Sequence, residues 1–150
     1  PLNYAISVAS RTSVSWLLGR GHNPNVTNQR GVSAAFAAAA IGDASIIDLL
    51  AKHGACLEIA DVRGLTPLHI AVCNNNTEAA LLLLEKSVSA KATDESGETP
   101  LHCIGHDNLE LINALLASGA DINAKNYSGQ TPLHFSVENG FTSVAKHLVR

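Results

Sequence analysis

The tetrapeptide Thr-Pro-Leu-His, at residues 66–69, 99–102 and 131–134, decides the fold of this chain. Successive copies begin 33 and 32 residues apart. Four identical residues recurring at a nearly constant interval in the low thirties are typical of stacked repeat architectures, in which each unit packs only on its neighbours. The length of 150 residues therefore counts repeats rather than globular domains.

Two weaker copies precede the complete ones when the chain is aligned on this motif. Ser33-Ala34-Ala35-Phe36 lies 33 residues before Thr66, and Pro1-Leu2-Asn3-Tyr4 falls in the same phase one period earlier, with Asn3 at the histidine position. The alignment predicts a single array over residues 1–150, and we expect it to be a fragment of a longer chain. Its predicted units are 1–32, 33–65, 66–98, 99–130 and a partial unit 131–150.

Each unit carries the signals of two short helices. Thr66 followed by Pro67 predicts a helix start, because the hydroxyl can accept from an early backbone N–H and proline loses nothing at the first helical position. After a polar turn, apolar residues recur at helical spacing, as in 109–116. Gly119 follows, where a left-handed cap is easiest for glycine. The remainder, such as 120–129, is short and polar and predicts a hairpin-like loop.

These patterns resemble the ankyrin repeat. The residues that carry the resemblance are Thr-Pro-Leu-His, the paired leucines after it, Gly-Ala-Asp-Ile-Asn at 119–123, and Asp-x-x-Gly at 61–64 and 94–97. The resemblance covers essentially the whole chain. It implies an all-α solenoid of helix–turn–helix units joined by hairpin-like fingers, with a concave surface of fingers and first helices that binds other proteins.

Two units depart from this pattern. The third has Ser87-Val88-Ser89 in place of Gly-Ala-Asp, so its second helix ends without glycine and we expect its finger to sit differently. The fourth is one residue short between Cys103 and Leu109, which predicts a shortened first helix or a tighter turn. The stack is therefore expected to be irregular near residues 85–108.

Composition excludes several classes of partner. The net charge is −3 and no Lys/Arg run exists that could neutralise several phosphates, which disfavours nucleic acid. The uncharged apolar stretch 31–42 is too short to span a bilayer, so no direct membrane insertion is predicted. The three cysteines are widely spaced and form no CxxC pair, which favours free thiols in a reducing compartment, the cytoplasm or nucleus.

The histidines are the first candidates for chemistry. His69, His102 and His134 belong to the motif, where we expect the imidazole to hydrogen-bond the motif threonine or a neighbouring loop backbone. His102 and His106 have the i,i+4 spacing of helical metal ligands but lack the glutamate of the HExxH zinc motif. A structural role is the simpler interpretation, and no metal or cofactor is predicted.

Cysteines and carboxylates offer little more. Cys73 or Cys103 could be paired on paper with a motif histidine, and either could be exposed and oxidisable, but no oxyanion donor or cleft is implied and packing is the simpler role. Asp61 and Asp94 precede a finger glycine and are predicted to brace the turn. The acidic cluster at 94–98 is a solvated fingertip or a patch for a basic partner segment. No catalytic residue is predicted, and the chain is not expected to be an enzyme.

The resemblance places partner binding on the fingertips and on the exposed side of the first helices. Arg63, Leu65 and Tyr127 are expected to contribute most, because apolar groups among charges suit a protein interface. We expect a monomer that binds another protein; a regulatory or targeting segment of a larger enzyme or channel, or a structural spacer, are the alternatives. The candidate residues are Arg30, Val32, Ile41, Val62, Arg63, Leu65, Asn74, Glu95, Ser96, Glu98, Tyr127, Ser128, Gln130, Glu138 and Asn139.

The resemblance also concerns Asn123. Ankyrin-repeat asparagines in a Leu-x5-Asp/Glu-Val/Ile-Asn context can be hydroxylated, and Leu115 with Asp121-Ile122-Asn123 matches that spacing. The alternative is an asparagine that ties its finger together by hydrogen bonds.

Overall fold

The computed structural model describes residues 1–149, and within that range it is helical, with no strand and no helix long and apolar enough to cross a membrane. The all-α class is confirmed. The helices are α1 (Leu2–Ser7), α2 (Arg11–Gly19), α3 (Ala34–Ile41), α4 (Ala44–Lys52), α5 (Pro67–Cys73), α6 (Thr77–Glu85), α7 (Leu109–Ala117), α8 (Pro132–Glu138) and α9 (Thr142–Leu148).

The helices stack in two rows. First helices α1, α3 and α5 pack on one another in order, and second helices α2, α4, α6, α7 and α9 form a parallel series of contacts. Between the rows lies one continuous core. Its fully buried side chains include Ile6, Ile46, Ile47, Leu50, Leu68, Leu83, Leu111, Ile112 and Leu115. Leu109, which belongs to the predicted apolar stripe of α7, stays 39% exposed, so that part of the stripe does not enter the core.

Small side chains bring the first helices close together. Ala38 and Ala39 on α3 and Ala71 on α5 are completely buried where neighbouring first helices meet. Close approach between helix backbones needs such short side chains, because larger ones would separate the axes. The alanine-rich composition is therefore a packing feature of this stack.

Capping residues define where the helices begin. The Thr66 side chain accepts from the backbone N–H of His69, with Pro67 at the first position of α5. Asp43 caps α4 in the same way, accepting from Ile46 at 3.0 Å. Such a cap contributes about 1 kcal/mol, because it satisfies a helical N–H that has no partner within the helix.

Asparagines in the turns between paired helices link each unit to the one before it. Asn76 Nδ2 donates to the carbonyls of Ala39 and Ala40 at 2.8 and 3.0 Å. Asn108 Nδ2 donates to Thr77 Oγ1 at 2.7 Å, while its Oδ1 caps α7. Because the donors reach carbonyls at the end of the preceding first helix or side chains of the preceding turn, these amides set the spacing between units.

The fourth unit lacks a regular first helix. Residues 100–103 form a single turn, closed by bonds from His102 N to Thr99 O at 2.9 Å and from Cys103 N to Pro100 O at 3.1 Å. Leu101 and Ile104 still reach the core. The missing residue before Leu109 removes the room for a second helical turn, so the predicted shortening is confirmed.

The third unit is more regular than its sequence suggests. Ser87 adopts φ +62°, the left-handed conformation that Gly54 and Gly119 adopt at the same place in their units. It donates to Leu84 O at 2.9 Å, just as Gly54 donates to Ala51 O at 3.1 Å. The expectation of a differently placed finger is therefore wrong. The chain keeps its path because backbone bonds from Ser87 N to Leu84 O and from Val88 N to Leu83 O hold serine in a conformation that glycine would adopt more easily.

Replacing Ser87 with glycine should stabilise the fold. The φ of +62° costs a residue with a Cβ about 1 kcal/mol, which glycine avoids. We expect the free energy of unfolding in urea to rise by roughly 0.5–1 kcal/mol. Ser118→Gly is the matched control: Ser118 sits one residue before Gly119 with φ −83°, so glycine there should lower stability. Equal changes in the two variants would contradict the role of φ.

Candidate functional site

Each finger is a turn braced by one side chain. Asp61 Oδ1 accepts from the backbone N–H of Arg63 and of Leu65, at 2.9 and 3.0 Å. Asp94 Oδ1 does the same for Ser96 and Glu98, at 2.8 and 2.9 Å. The predicted bracing role of both aspartates is confirmed. Asn28 and Asn126 occupy the equivalent place in the first and fourth fingers, so an amide oxygen serves as well as a carboxylate.

Backbone hydrogen bonds join neighbouring fingertips. Val62 N donates to Arg30 O at 3.1 Å, Glu95 N to Arg63 O at 2.9 Å, and Tyr127 N to Ser96 O at 3.0 Å. Tip residues from four units are thereby held in one line. We call this line the fingertip row; it consists of Arg30, Val62, Arg63, Glu95, Ser96, Tyr127 and Ser128.

The motif histidines hold the base of each finger. His69 accepts at Nδ1 from the Thr66 N–H at 3.1 Å, so its proton lies on Nε2, which donates to Glu98 O at 3.1 Å. His102 repeats this arrangement and reaches Gln130 O at 3.2 Å. Among residues 1–149, His134 bonds only to Thr131. The predicted structural role of these imidazoles is confirmed.

Burial lowers the pKa of His69 below its ordinary value of 6.5. The ring is fully buried, and protonation would place a charge in an apolar region and a second proton on Nδ1, opposite the Thr66 N–H. The Glu98 carbonyl and the Asp94 carboxylate oppose this effect by favouring the charged ring. His69 is therefore a neutral hydrogen-bonding link rather than a proton donor or acceptor for catalysis.

Asn3 takes over this role in the first unit. Its Nδ2 donates to Val32 O at 3.0 Å. Val32 occupies the same position in the first finger as Glu98, whose carbonyl accepts from His69, occupies in the third finger. Phe36, at the equivalent place in the second unit, has no polar atom to offer. The series of histidine-type links is thus interrupted once, between the second and third units.

Exposure separates the predicted binding residues into two groups. Four of them precede the motif threonine or its equivalent and are half-buried, because that position supports the base of the finger: Val32, Leu65, Glu98 and Gln130. The exposed candidates are Arg30, Ile41, Val62, Arg63, Asn74, Glu95, Ser96, Tyr127, Ser128, Glu138 and Asn139. The amides of Asn74 and Asn139 are already engaged with the carbonyls of Ala40 and Phe135.

The charge changes sign along the surface. Arg30 and Arg63 occupy the first two fingertips, whereas Glu95 lies on the third and Glu138 at the end of α8. The Arg63 Nε atom lies 3.3 Å from Asp61 Oδ2, but the arginine side chain is 66% exposed, so the pair is weak and leaves the guanidinium accessible. Val62 (60% exposed) and Tyr127 (80% exposed) add apolar area on the row.

The described residues offer few side-chain arrangements suited to metal binding or catalysis. Among residues 1–149, no group of three or more His, Cys, Asp or Glu is arranged to hold a metal ion. His102 is committed to Thr99 and Gln130, which leaves His106 without the i,i+4 partner that its spacing suggested. The three cysteines are free thiols.

Sequence reasoning did not single out an exposed apolar patch formed by α1 and α2. Tyr4 is 74% and Trp16 59% exposed, and both line an apolar groove with Ala5 and Leu17. Arg20 stacks over the Trp16 ring at 4.8 Å. Trp16 is the single tryptophan of the chain, and this feature of the composition could have indicated the patch.

Comparison with known proteins agrees with this geometry. A family model described as ankyrin repeats in three copies matches residues 2–94, and one described as ankyrin repeats in many copies matches residues 103–149. The chain belongs to the ankyrin-repeat family. Ankyrin repeats are generally protein–protein interaction modules, so binding of another protein is the function that the family supports at a coarse level.

Relatives of this ankyrin-repeat chain include proteins of several kinds. It is 34% identical over 124 residues to the nuclear factor NF-kappa-B p105 subunit of Gallus gallus, covering 79% of the chain and 13% of that protein. It is 33% identical over 126 residues to the B-cell lymphoma 3 protein homolog of Mus musculus, covering 80% and 28%. With protein phosphatase 1 regulatory subunit 27 of Homo sapiens it shares 33% identity over 82 residues, covering 55% and 53%. The chain thus spans less than a third of the first two relatives.

Asn123 is exposed, and its side chain has no hydrogen bond within the described part of the ankyrin array. The equivalent Asn25 and Glu58 accept a backbone N–H from the following unit, Cys56 and Ser89 respectively. Asn123 itself receives no such bond from residues 131–149. The position equivalent to Cys56 and Ser89 in the next unit lies beyond residue 150, so both interpretations of Asn123 stay predictions.

Proposed function

We propose that this chain binds a partner protein through the fingertip row and the adjoining exposed ends of the first helices. The observation that carries the proposal is the line of tip side chains, held in place by backbone bonds between fingers, that the fold itself does not use. Rigid presentation of exposed aromatic, aliphatic and arginine side chains lowers the entropy cost of association. Little change of shape on binding is expected.

The charge distribution suggests the chemistry of the partner segment. Carboxylates of the partner would lie over Arg30 and Arg63, and basic groups over Glu95 and Glu138. Apolar side chains would lie between them against Val62 and Tyr127. This opposite polarity would orient the segment along the row, since reversed binding would place like charges together.

Loss of two fingertip side chains should weaken partner capture strongly. We expect Arg63→Ala with Tyr127→Ala to reduce affinity by at least about 30-fold, since a single central arginine or tyrosine side chain often contributes about 2 kcal/mol. Leu65 is left intact because it is half-buried and its removal would also disturb the finger. The measurement is affinity capture with wild-type chain, identification of bound proteins by mass spectrometry, and titration of the purified partner by calorimetry.

Lys52→Ala is the matched control for this test. Lys52 is exposed near the end of the second helix α4, away from the fingertips, and its pair with Asp48 is accessible to water. Its loss should leave affinity unchanged. A captured partner that binds the double variant as tightly as the wild type would refute the proposed surface.

A regulatory segment of a larger assembly is the second candidate function. One relative is named a regulatory subunit of protein phosphatase 1, and the match covers about half of each chain. In that case the array would position or inhibit a catalytic protein instead of acting as a stand-alone adaptor. The full-length sequence discriminates: a neighbouring catalytic or membrane-spanning region favours regulation, and a captured enzyme whose activity changes on binding would support it. A structural spacer would capture no partner at all.

We propose further that residues 1–150 act as one array, as a monomer and without catalytic activity of their own. The continuous core and the absence of a metal-binding group among the described residues support this proposal. Three free thiols favour the cytoplasm or nucleus. Sedimentation at micromolar concentration tests the monomer, and a dimer would refute it.

Hydroxylation of Asn123 is proposed as a modification of this surface. Exposure of the side chain makes it accessible to a modifying enzyme. Intact mass spectrometry of the protein from its native source should detect one added oxygen on the peptide that contains Asn123. An unmodified peptide would refute the idea.

A further inference from the structure

An apolar groove runs along α1 and α2 in the first unit. Ala5 is buried and Leu17 half-buried at its base, whereas the rings of Tyr4 and Trp16 remain 74% and 59% exposed. The groove has a volume of about 490 Å³. Exposed rings beside a concave apolar surface are typical of an interaction site. We call this surface the Trp16 groove; its lining includes Tyr4, Ala5, Val8, Ser13, Trp16 and Leu17.

The lining of the Trp16 groove has the geometry of a helix pair. Tyr4 and Val8, which lies at the C-terminal end of α1, are four residues apart, and so are Ser13 and Leu17 on α2. Residues at this spacing share one face of a helix. The furrow between two packed helices accepts the side-chain ridge of a third helix, so the shape of the groove favours a helical ligand.

Ser13 distinguishes the Trp16 groove from the contacts between repeat units. Its side chain is exposed, and its hydroxyl accepts from the Ser10 hydroxyl at 2.7 Å. Because this hydroxyl is hydrogen-bonded within its own unit and can also face water, the groove suits reversible contact better than permanent burial. The residues at the same position in the other units are apolar and buried: Ile46, Ala79, Leu111 and Val144.

The charge around the Trp16 groove is positive. Arg20 stacks over the Trp16 ring at 4.8 Å, and Arg11 lines an adjoining depression beside the same ring. Both arginines are exposed, and neither forms an ion pair with another described residue. Residues 1–42 contain three arginines and no Asp or Glu; since the whole chain carries −3, residues 43–150 carry −6. The first unit therefore attracts carboxylates although the chain as a whole is acidic.

We propose that the Trp16 groove binds an acidic amphipathic helix of a partner protein. The apolar face of that helix packs against Tyr4, Val8 and Trp16, and its carboxylates pair with Arg11 and Arg20. The stack on Trp16 holds the Arg20 guanidinium in place, which lowers the entropy cost of pairing with a carboxylate. No residue of the fingertip row lines the groove, so this is a second surface whose test does not depend on the function proposed above.

Fluorescence of Trp16 tests the proposal, because this single tryptophan reports on the groove alone. The probe is a blocked peptide of about 15 residues with Leu along one helical face, Glu on both sides of that face and Ala elsewhere. Titration at physiological ionic strength should move the emission maximum to shorter wavelength with a micromolar Kd, since one helix buries less area than a standard interface. A peptide with Lys in place of Glu should bind at least about 10-fold more weakly. Tyr4→Ala should weaken the acidic peptide by about 10-fold.

Charge reversal in the protein provides the reciprocal test. Arg11→Glu with Arg20→Glu should weaken binding of the acidic peptide at least about 10-fold and strengthen binding of the Lys peptide. Lys91→Glu with Lys125→Glu is the matched control, because it changes the net charge equally and both lysines are exposed in later fingers, outside the groove. It should leave both affinities within about 2-fold of wild type. Circular dichroism of each variant checks that the fold is retained.

Several results would overturn the proposal. One is a Trp16 emission maximum that the acidic peptide does not move at about 1 mM, and another is an equal loss of affinity in the two double variants. A maximum that shifts with protein concentration alone would identify a second copy of the chain as the ligand. A response to vesicles containing phosphatidylserine, without a response to the peptide, would identify a lipid surface. A longer form of the protein whose Trp16 already emits at the shorter wavelength would show that its own chain covers the groove.

Discussion

Replacement of His69 by alanine should destabilise the array by about 3 kcal/mol. The ring is fully buried, accepts from Thr66 and donates to the carbonyl of Glu98 in the finger between the third and fourth units. Alanine would leave a cavity and would also strand a buried threonine hydroxyl and a carbonyl without their partner. Urea unfolding followed by circular dichroism measures the change.

His134→Ala is the control that the repeat itself provides. His134 has the same contacts with Thr131 but is exposed, and no carbonyl of residues 1–149 is bonded to its Nε2. We expect its removal to cost less than about 1 kcal/mol. Equal losses for the two variants would show that the bond to the next finger, and burial of the ring, contribute nothing.

The titration of His69 provides an independent readout. Because burial depresses the pKa of the folded state, the neutral ring contributes its full stability above the ordinary value of 6.5. That contribution is lost as the pH falls from 6.5 through the folded-state pKa, since the unfolded chain binds the proton first. His69→Asn, which copies the Asn3 link, should decrease the fall in unfolding free energy below pH 6.5. An unchanged slope would exclude His69 as the titrating group.

Gly31→Ala should be the second strongly destabilising change, at about 3 kcal/mol. Gly31 has φ +73°, and a Cβ there would lie 2.9 Å from both Asp61 Cα and Val62 N. These are backbone atoms of the next finger, so no side chain can move aside. The finger would have to shift, which would break the bond from Val62 N to Arg30 O in the fingertip row.

Gly129→Ala separates the free-energy cost of the positive φ from the cost of the close contact between fingers. Gly129 has nearly the same φ, +77°, but nothing lies within 4 Å of its Cβ position. Its replacement should therefore cost only the conformational term, about 1 kcal/mol. The difference between the two variants in urea unfolding measures the close approach between fingers. If both lost the same amount, contact between neighbouring fingers would not restrict this position.

Most of the fold could be predicted from local patterns. The recurrence of Thr-Pro-Leu-His indicated the repeat, the apolar spacing indicated the helices, and the structure confirms the bracing of fingers by Asp61 and Asp94. Each of these features depends on side chains close together in the sequence. Their short-range hydrogen bonds form in any unit that contains the motif.

The candidate site was harder to predict. Leu65 looked like a free fingertip residue but is half-buried, and the amide of Asn74 is engaged with Ala40. Trp16 was not among the predicted binding residues, although it is 59% exposed. Whether such a side chain is available to a partner depends on how much of it the neighbouring unit covers. The periodicity of the sequence does not contain that information.

The chain therefore determines from local sequence its period, its paired helices and the residues that cap and brace them, because those interactions join residues a few positions apart. Only packing between units decided that Val32, Leu65, Glu98 and Gln130 are half-buried, and that the amide of Asn74 is engaged with Ala40. These outcomes depend on how one unit limits the space of the next, and contacts across about thirty residues set that limit.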